Sequence, residues 1–135
     1  TLTVFTGTLG DGTAASDIHR LSREARMTIA IGAGLYEELV FRVVGIALVH
    51  LLVVDVLGAG KRAGAIAAVV VSAVAFTCYH DLRTPTGALN IPLAAFLLFA
   101  GLYFGLLYIW RGFGIVVGVH ALYDVVALVL LPNGQ

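Results

Sequence analysis

Two adjacent glutamates and an arginine stand inside one of the most apolar passages of the chain. They are Glu37, Glu38 and Arg42, in the stretch "GLYEELVFRVVG". In a helix, an arginine four residues after a glutamate can neutralise and orient its carboxylate. Glu37 points about 100° around the helix from its neighbour, so the two glutamates need not share a role. We expect Glu38 to pair with Arg42 and Glu37 to carry out the chemistry.

Three more ionisable side chains lie in or at the end of later apolar runs. His80 ends one run, while His120 and Asp124 are four residues apart on one face of another. Ionisable groups at membrane depth cost a few kcal/mol each, so they face the interior of a helix bundle and mark a functional site. His50 lies about 18 Å from Glu38 along the first run, and we leave it out of the site.

Two chemistries suit these residue types. Glu37, His80 and His120 can form a zinc set with a fourth position open for water. Without metal, Glu37 and His80 together can deprotonate a water while His120 and Asp124 hold the developing oxyanion. Both alternatives end in water attacking a carbonyl group. The sequence lacks H-E-x-x-H, which excludes a zincin-type helix as the source of metal ligands.

The composition is that of a membrane protein. Hydrophobic residues make up 60% of the chain and charged residues 12%, with a mean hydropathy of +1.00, whereas soluble domains are about 25% charged. The 135 residues have room for about four or five crossings of a bilayer. The net charge is zero and no basic run occurs, so we do not expect a nucleic-acid partner. The expected environment is membrane lipid.

Four apolar segments are separated by short polar stretches. They run from about Met27 to Leu57, from Ala63 to Tyr79, between Arg83 and Arg111, and over residues 112–132. Apolar runs of this length, without alternation, are spanning helices and not barrel strands. We predict an all-α polytopic transmembrane helix bundle of about four spanning helices, forming one domain over residues 27–132.

Residues 1–26 are predicted to be a separate N-terminal region. In "DIHRLSREAR", Ile18, Leu21 and Ala25 recur at helical spacing with arginines between them, which indicates an interfacial amphipathic helix. The chain begins with Thr1 and carries no basic-then-apolar signal segment, so we expect it to be a fragment of a longer protein.

Antiparallel connectivity brings the polar groups into one half of the membrane. If the first span begins on side A, Glu37 lies about 10–15 Å below that side and His120 near mid-membrane. His80 ends the returning second span close to side A. Two glycine pairs, Gly101/Gly105 and Gly114/Gly118, are expected to let helices approach closely.

Three short stretches together carry a resemblance to a known family. "EELVFR", "FTCYH" and "HALYD" resemble the motifs E-E-x-x-x-R, F-x-x-x-H and H-x-x-x-N/D of the CAAX-protease and bacteriocin-processing (CPBP, Abi) family. They occur in the family's order, on separate spans, within about Ala25 to Leu131. The resemblance implies an intramembrane endopeptidase, usually classed as a metallopeptidase, that acts on a peptide or protein substrate.

The resemblance also implies roles for individual residues. Glu37 and His80 would activate the water, and His120 and Asp124 would stabilise the oxyanion. Asp124 stands where prenyl-protein proteases have asparagine, and an ionised aspartate cannot donate to an oxyanion. It would have to be protonated, orient His120 or ligate a metal. Aspartate occurs here among bacterial members, so we expect a bacterial plasma-membrane protein. The family resemblance also implies that side A is cytoplasmic.

Other readings of the same residues remain. Glu38 and Arg42 alone would suit a structural ion pair, and His120 and Asp124 alone a packing pair. A different class of function is a proton-coupled transporter, or an immunity protein that binds a peptide without cleaving it, because buried Glu, His and Asp also form proton relays. An alternating-access transporter should show internal pseudo-symmetry, and none is visible here. A pure binder should tolerate Glu37→Gln, whereas a protease should not.

Overall fold

The computed structural model describes residues 20–130, and the described chain is helical. Its four main helices are α1, Arg23–Val56; α2, Lys61–Tyr79; α3, Ile91–Arg111; and α4, Phe113–Val125, which a π-helical segment, Val126–Leu130, continues. The first three are long and apolar enough to cross a membrane, and the fourth is a shorter apolar helix. The described residues contain one isolated β-bridge and no strand, which confirms the predicted all-α bundle.

Local capping signals set the helix ends. The Ser22 side chain accepts a hydrogen bond from the backbone N–H of Ala25, and the Asn90 side chain accepts one from Leu93. Pro92 lies in the first turn of α3, where a missing N–H costs nothing. Gly112, at φ 83°, is the single residue between α3 and α4. This left-handed conformation favours glycine and lets α4 turn back directly along the bundle.

Helix α1 is not a regular α-helix. Its α-helical part ends at Glu38, and the segments Leu39–Ile46 and Leu51–Val56 are π-helical. The sequence analysis predicted no such change. Because i→i+5 bonding alters how side chains step around the axis, the change directly after Glu38 affects which residues of α1 face the bundle interior.

Helix α1 packs along α4 through its first part, Arg23–Glu38, and along α2 through the part that follows Glu38, while α2 also packs along α3. A Cβ placed on Gly34 would lie 3.1 Å from the backbone nitrogen of Ala121, and one on Gly101 would lie 3.0 Å from the Cα of Ala73. Gly105 similarly meets Val69 at 3.1 Å. The predicted close approach at Gly101/Gly105 is therefore confirmed. The prediction for Gly114/Gly118 was wrong as far as residues 20–130 are concerned, because none of their atoms lies within 4 Å of a Cβ placed at either position.

Gly34→Val is expected to destabilise the fold by about 1–3 kcal/mol, because the added side chain would push against the backbone of α4. Gly118→Val is the matched control, since that glycine lies in α4 and no described residue comes within 4 Å of a Cβ placed on it. Thermal unfolding of the purified proteins in detergent measures the effect. An equal loss of stability in both variants would show that the cost comes from β-branching in a helix and not from the contact between α1 and α4.

The predicted N-terminal interfacial helix, residues 17–26, is described from residue 20 onward, and a helix boundary falls inside it. Leu21 and Ser22 are not helical, and residues 23–26 already belong to α1, so the described part of the segment is the start of the first span and not a separate helix. Residues 1–19 lie outside the described residues, and what was predicted for them stays a prediction. Arg26 donates a hydrogen bond to the backbone carbonyl of Leu128 at 3.2 Å, tying the first turns of α1 to the end of α4.

Candidate active site

The structure brings the six predicted site residues together from three helices. Glu37 and Glu38 end the α-helical part of α1, and Arg42 follows in its first π-helical segment. His80 is the residue directly after α2, and α4 supplies both His120 and Asp124.

His50 lies elsewhere, as the sequence indicated. Its ring lies 3.4 Å from a Cβ placed on Gly64, near the start of α2 and away from the three motifs.

Glu38 and Arg42 lie at the buried end of the site. Both side chains are fully buried, and Glu38 Oε2 lies 3.1 Å from Arg42 Nε. The two atoms are close enough for an ion pair but are not aligned as a hydrogen bond. The other carboxylate oxygen, Oε1, accepts a hydrogen bond from Nδ1 of His120 at 2.9 Å. Glu38 thus links the arginine of the first motif to the histidine of the third.

Ser72, on α2, is a site residue that the sequence analysis missed. Its hydroxyl accepts a hydrogen bond from Arg42 Nη1 at 2.8 Å and donates one to the carbonyl of Phe41 at 2.7 Å. Ser72, Phe76 and His80 recur every four residues, so they share one face of α2. A hydroxyl on the same face as His80, within an apolar run, was the signal that could have identified it.

His80 is oriented by its own helix. Its Nδ1 donates a hydrogen bond to the carbonyl of Phe76 at 2.9 Å, because a carbonyl oxygen can only accept. In the neutral ring, Nε2 then keeps its lone pair. That atom lies 4.0 Å from Oε2 of Glu37, a separation that one water molecule can bridge.

His120 presents its second nitrogen to the same carboxylate. Its Nε2 lies 3.6 Å from Glu37 Oε2 and 3.6 Å from Asp124 Oδ2. Because Nδ1 is held by Glu38, the ring cannot turn without losing that buried hydrogen bond. The two histidines therefore converge on Glu37 through their Nε2 atoms.

The site is buried at the end formed by Glu38 and Arg42 and accessible at the end formed by His80 and Asp124. The side chains of Glu38 and Arg42 are inaccessible to solvent, whereas those of His80 and Asp124 are 30% and 21% exposed. A cavity of about 500 Å³ lies beside His80 and is lined by Cys78, His80, Asp81, Leu82, Arg83 and Leu89. The accessible end of the site is therefore the one where α2 gives way to the loop that leads to α3.

Aromatic rings surround the two histidines. Phe76, of the second motif, has its ring centroid 4.7 Å from that of His80 and 5.9 Å from that of His120. Phe104, from α3, stacks on His120. No motif lies on α3, so the sequence analysis assigned that helix no part in the site. One aromatic residue in a helix that also contains Phe96, Phe99 and Tyr103 carries no distinguishing sequence signal.

The donor types around Glu37 suit a divalent metal, because each histidine has one nitrogen held by an acceptor and the other directed at the carboxylate. Within residues 20–130, no group of three or more His, Cys, Asp or Glu side chains is placed to hold a metal ion. The metal set Glu37, His80 and His120 therefore stays a prediction, and no step below depends on it.

Comparison with known proteins identifies the family. Searches of curated proteins and of solved structures found no match to the chain. The family model described as type II CAAX prenyl endopeptidase Rce1-like matches residues 25–126, well over half of the chain, and this region contains all three motifs. The long apolar helices agree with such a membrane protease. The chain therefore belongs to the type II CAAX prenyl endopeptidase Rce1-like family of integral membrane proteins.

Proposed function

We propose that the protein is an intramembrane endopeptidase in which Glu37 and His80 activate a water molecule to hydrolyse a peptide bond near the membrane surface. The observation that carries this proposal is the convergence of two histidine Nε2 atoms on Glu37 Oε2, at 4.0 and 3.6 Å, from two different helices. Both Nδ1 atoms have other hydrogen-bond partners. This arrangement leaves one carboxylate with two positioned nitrogens beside it.

The first step is attack by water. A water between Glu37 and His80 is oriented by the lone pair of His80 Nε2 and gives a proton to the Glu37 carboxylate. Its oxygen bonds to the carbonyl carbon of the substrate, and the carbonyl electron pair moves onto the carbonyl oxygen. Glu37 is 7% exposed, so little bulk water competes for its carboxylate.

The second step is collapse of the tetrahedral intermediate. A doubly protonated His120 donates from Nε2 to the oxyanion while Glu38 accepts from Nδ1, and Asp124 lies beside the ring to offset its charge. Glu37 then returns its proton to the leaving nitrogen as the carbon–nitrogen bond breaks. The products are a new carboxyl terminus and a new amino terminus, and the enzyme regains its starting protonation.

His80→Ala is expected to lower the cleavage rate by roughly 10²- to 10⁴-fold, because the water loses its second positioning group. The control is His50→Ala, since His50 lies in α1 but outside the site. The assay follows cleavage of a peptide pool by the purified protein in detergent, with products identified by mass spectrometry. Equal rates for His80→Ala and the unmodified protein would refute the role of His80.

Metal dependence is tested on the same reaction. The metal-free step predicts that 1,10-phenanthroline leaves the rate within about twofold of that with its non-chelating 1,7 isomer. Loss of activity with the chelator alone, restored by added zinc, would contradict the metal-free step. It would instead support zinc held by Glu37, His80 and His120.

The location of the site bears on the substrate and the rival functions. His80 lies at the end of α2 beside an open cavity. This position suits a peptide or protein substrate whose scissile bond lies close to the lipid headgroups. A proton relay or a peptide-binding immunity protein does not need two histidines flanking one carboxylate at an accessible cavity. Asp124, in place of asparagine, favours the bacterial members of the family, and we place the protein in the bacterial plasma membrane.

A further inference from the structure

We infer that Phe104 is a positioning residue, which holds the ring of His120 so that its Nε2 is directed at the substrate oxyanion beside Glu37 during catalysis. This inference rests on the proposed function and assigns a part in it to α3, the helix without a motif. Phe104 does not reach the reacting atoms. It acts through His120.

The stacking geometry supports this role. The ring centroids of Phe104 and His120 are 4.6 Å apart and their planes are inclined by 21°, while both side chains are buried. Phe76 meets the same imidazole edge-on, at 5.9 Å and 69°. Glu38 holds Nδ1 by one hydrogen bond, and the angular tolerance of that bond still allows the ring plane to tilt. A flat aromatic face against the imidazole limits that tilt.

The packing of α3 explains how Phe104 reaches the histidine. Gly101 and Gly105 lie on either side of it in the sequence, in direct contact with Ala73 and Val69 of α2. The two glycines let the α3 backbone approach α2 closely. From this position, Phe104 contacts His120 of α4. The glycine pair that the sequence marked as a packing feature therefore also sets the position of a ring beside the site.

Helix α3 carries several aromatic residues, and one that does not stack on His120 provides a matched control. Phe104 lines an apolar cavity of about 300 Å³ together with Phe96, Phe99, Ala100, Tyr103, Val119 and Tyr123. Phe99 lines the same cavity but is 71% exposed, and it makes no ring contact with His120 among the described residues. Phe99→Leu therefore changes the same helix and the same cavity without changing the stack.

The test compares Phe104→Leu, Phe104→Tyr and Phe99→Leu in the peptide-cleavage assay. Leucine fills most of the space but has no aromatic face, so kcat should fall by roughly 2- to 12-fold with little change in KM. Tyrosine keeps the ring and should restore kcat. Phe99→Leu should behave like the unmodified protein. Size-exclusion chromatography and thermal unfolding confirm that each variant is folded, and Phe104→Met replaces Phe104→Leu if the latter does not fold.

Three results would overturn the inference. An unchanged kcat in Phe104→Leu would show that the stack has no part in the reaction. Equal losses in the leucine and tyrosine variants would indicate simple packing. A raised KM with an unchanged kcat would indicate contact with substrate. Cleavage by the unmodified protein that depends on Glu37 is established first, so failure of the proposed function is seen separately from failure of this inference.

Discussion

Glu37→Gln is expected to lower the rate of peptide-bond hydrolysis by roughly 10²- to 10⁴-fold while leaving the protein folded. The amide has nearly the shape of the carboxylate but cannot accept a proton from water. The carboxylate of Glu37 lies between two histidine nitrogens, and it is the group in the site placed to take that proton. The measurement is the initial rate of peptide cleavage by purified protein in detergent.

Glu24→Gln is the matched control, because Glu24 is an exposed acidic residue in the first turn of the same helix. It should cleave at the rate of the unmodified protein. Thermal unfolding should give similar midpoints for all three proteins. A Glu37→Gln protein that is folded and fully active would be inconsistent with any role of Glu37 as the base. The peptide-binding reading would gain support if that variant also bound peptide normally and the unmodified protein cleaved none.

Arg42→Met should be the most destabilising of the substitutions considered, at about 3–5 kcal/mol, because it leaves a charge buried without its partner. Arg42 and Glu38 have no exposed side-chain surface. The guanidinium also donates to Ser72, whose hydroxyl would lose a buried partner. Unfolding of the purified protein in detergent, by heat or by denaturant, measures the loss.

Two comparisons separate the ion pair from general damage. Arg62→Met, at the exposed start of α2, should change stability little. The double variant Glu38→Met/Arg42→Met removes both charges and should be more stable than Arg42→Met alone. It should remain inactive, because His120 Nδ1 then has no acceptor. A double variant less stable than Arg42→Met would contradict the view that a lone buried charge causes the loss.

Much of the site follows from helical periodicity, because the relevant spacings are local. Four-residue spacing placed Glu38 beside Arg42 and His120 beside Asp124, and both contacts are present. The antiparallel order of the apolar segments then predicted that three helices contribute to one site. The family resemblance inferred from the same three stretches is confirmed.

The contacts between helices could not be predicted in this way. The hydroxyl of Ser72 and the ring of Phe104 belong to the site because of how closely α2 and α3 approach the other helices, and spacing along one helix does not set that distance. The same limit explains the error at Gly114/Gly118, where a suitable spacing meets none of the described helices. The π-helical segment after Glu38 also lacks a sequence signal such as proline.

The most direct test of the central claim is cleavage of a peptide in water enriched in heavy oxygen, followed by mass spectrometry of the products. The account predicts that the unmodified protein places one heavy oxygen atom in the new carboxyl terminus, at a rate that falls in Glu37→Gln. Folded protein that binds the peptide but forms no labelled product would contradict hydrolysis by activated water, and would favour a binding or transport function for the same buried residues.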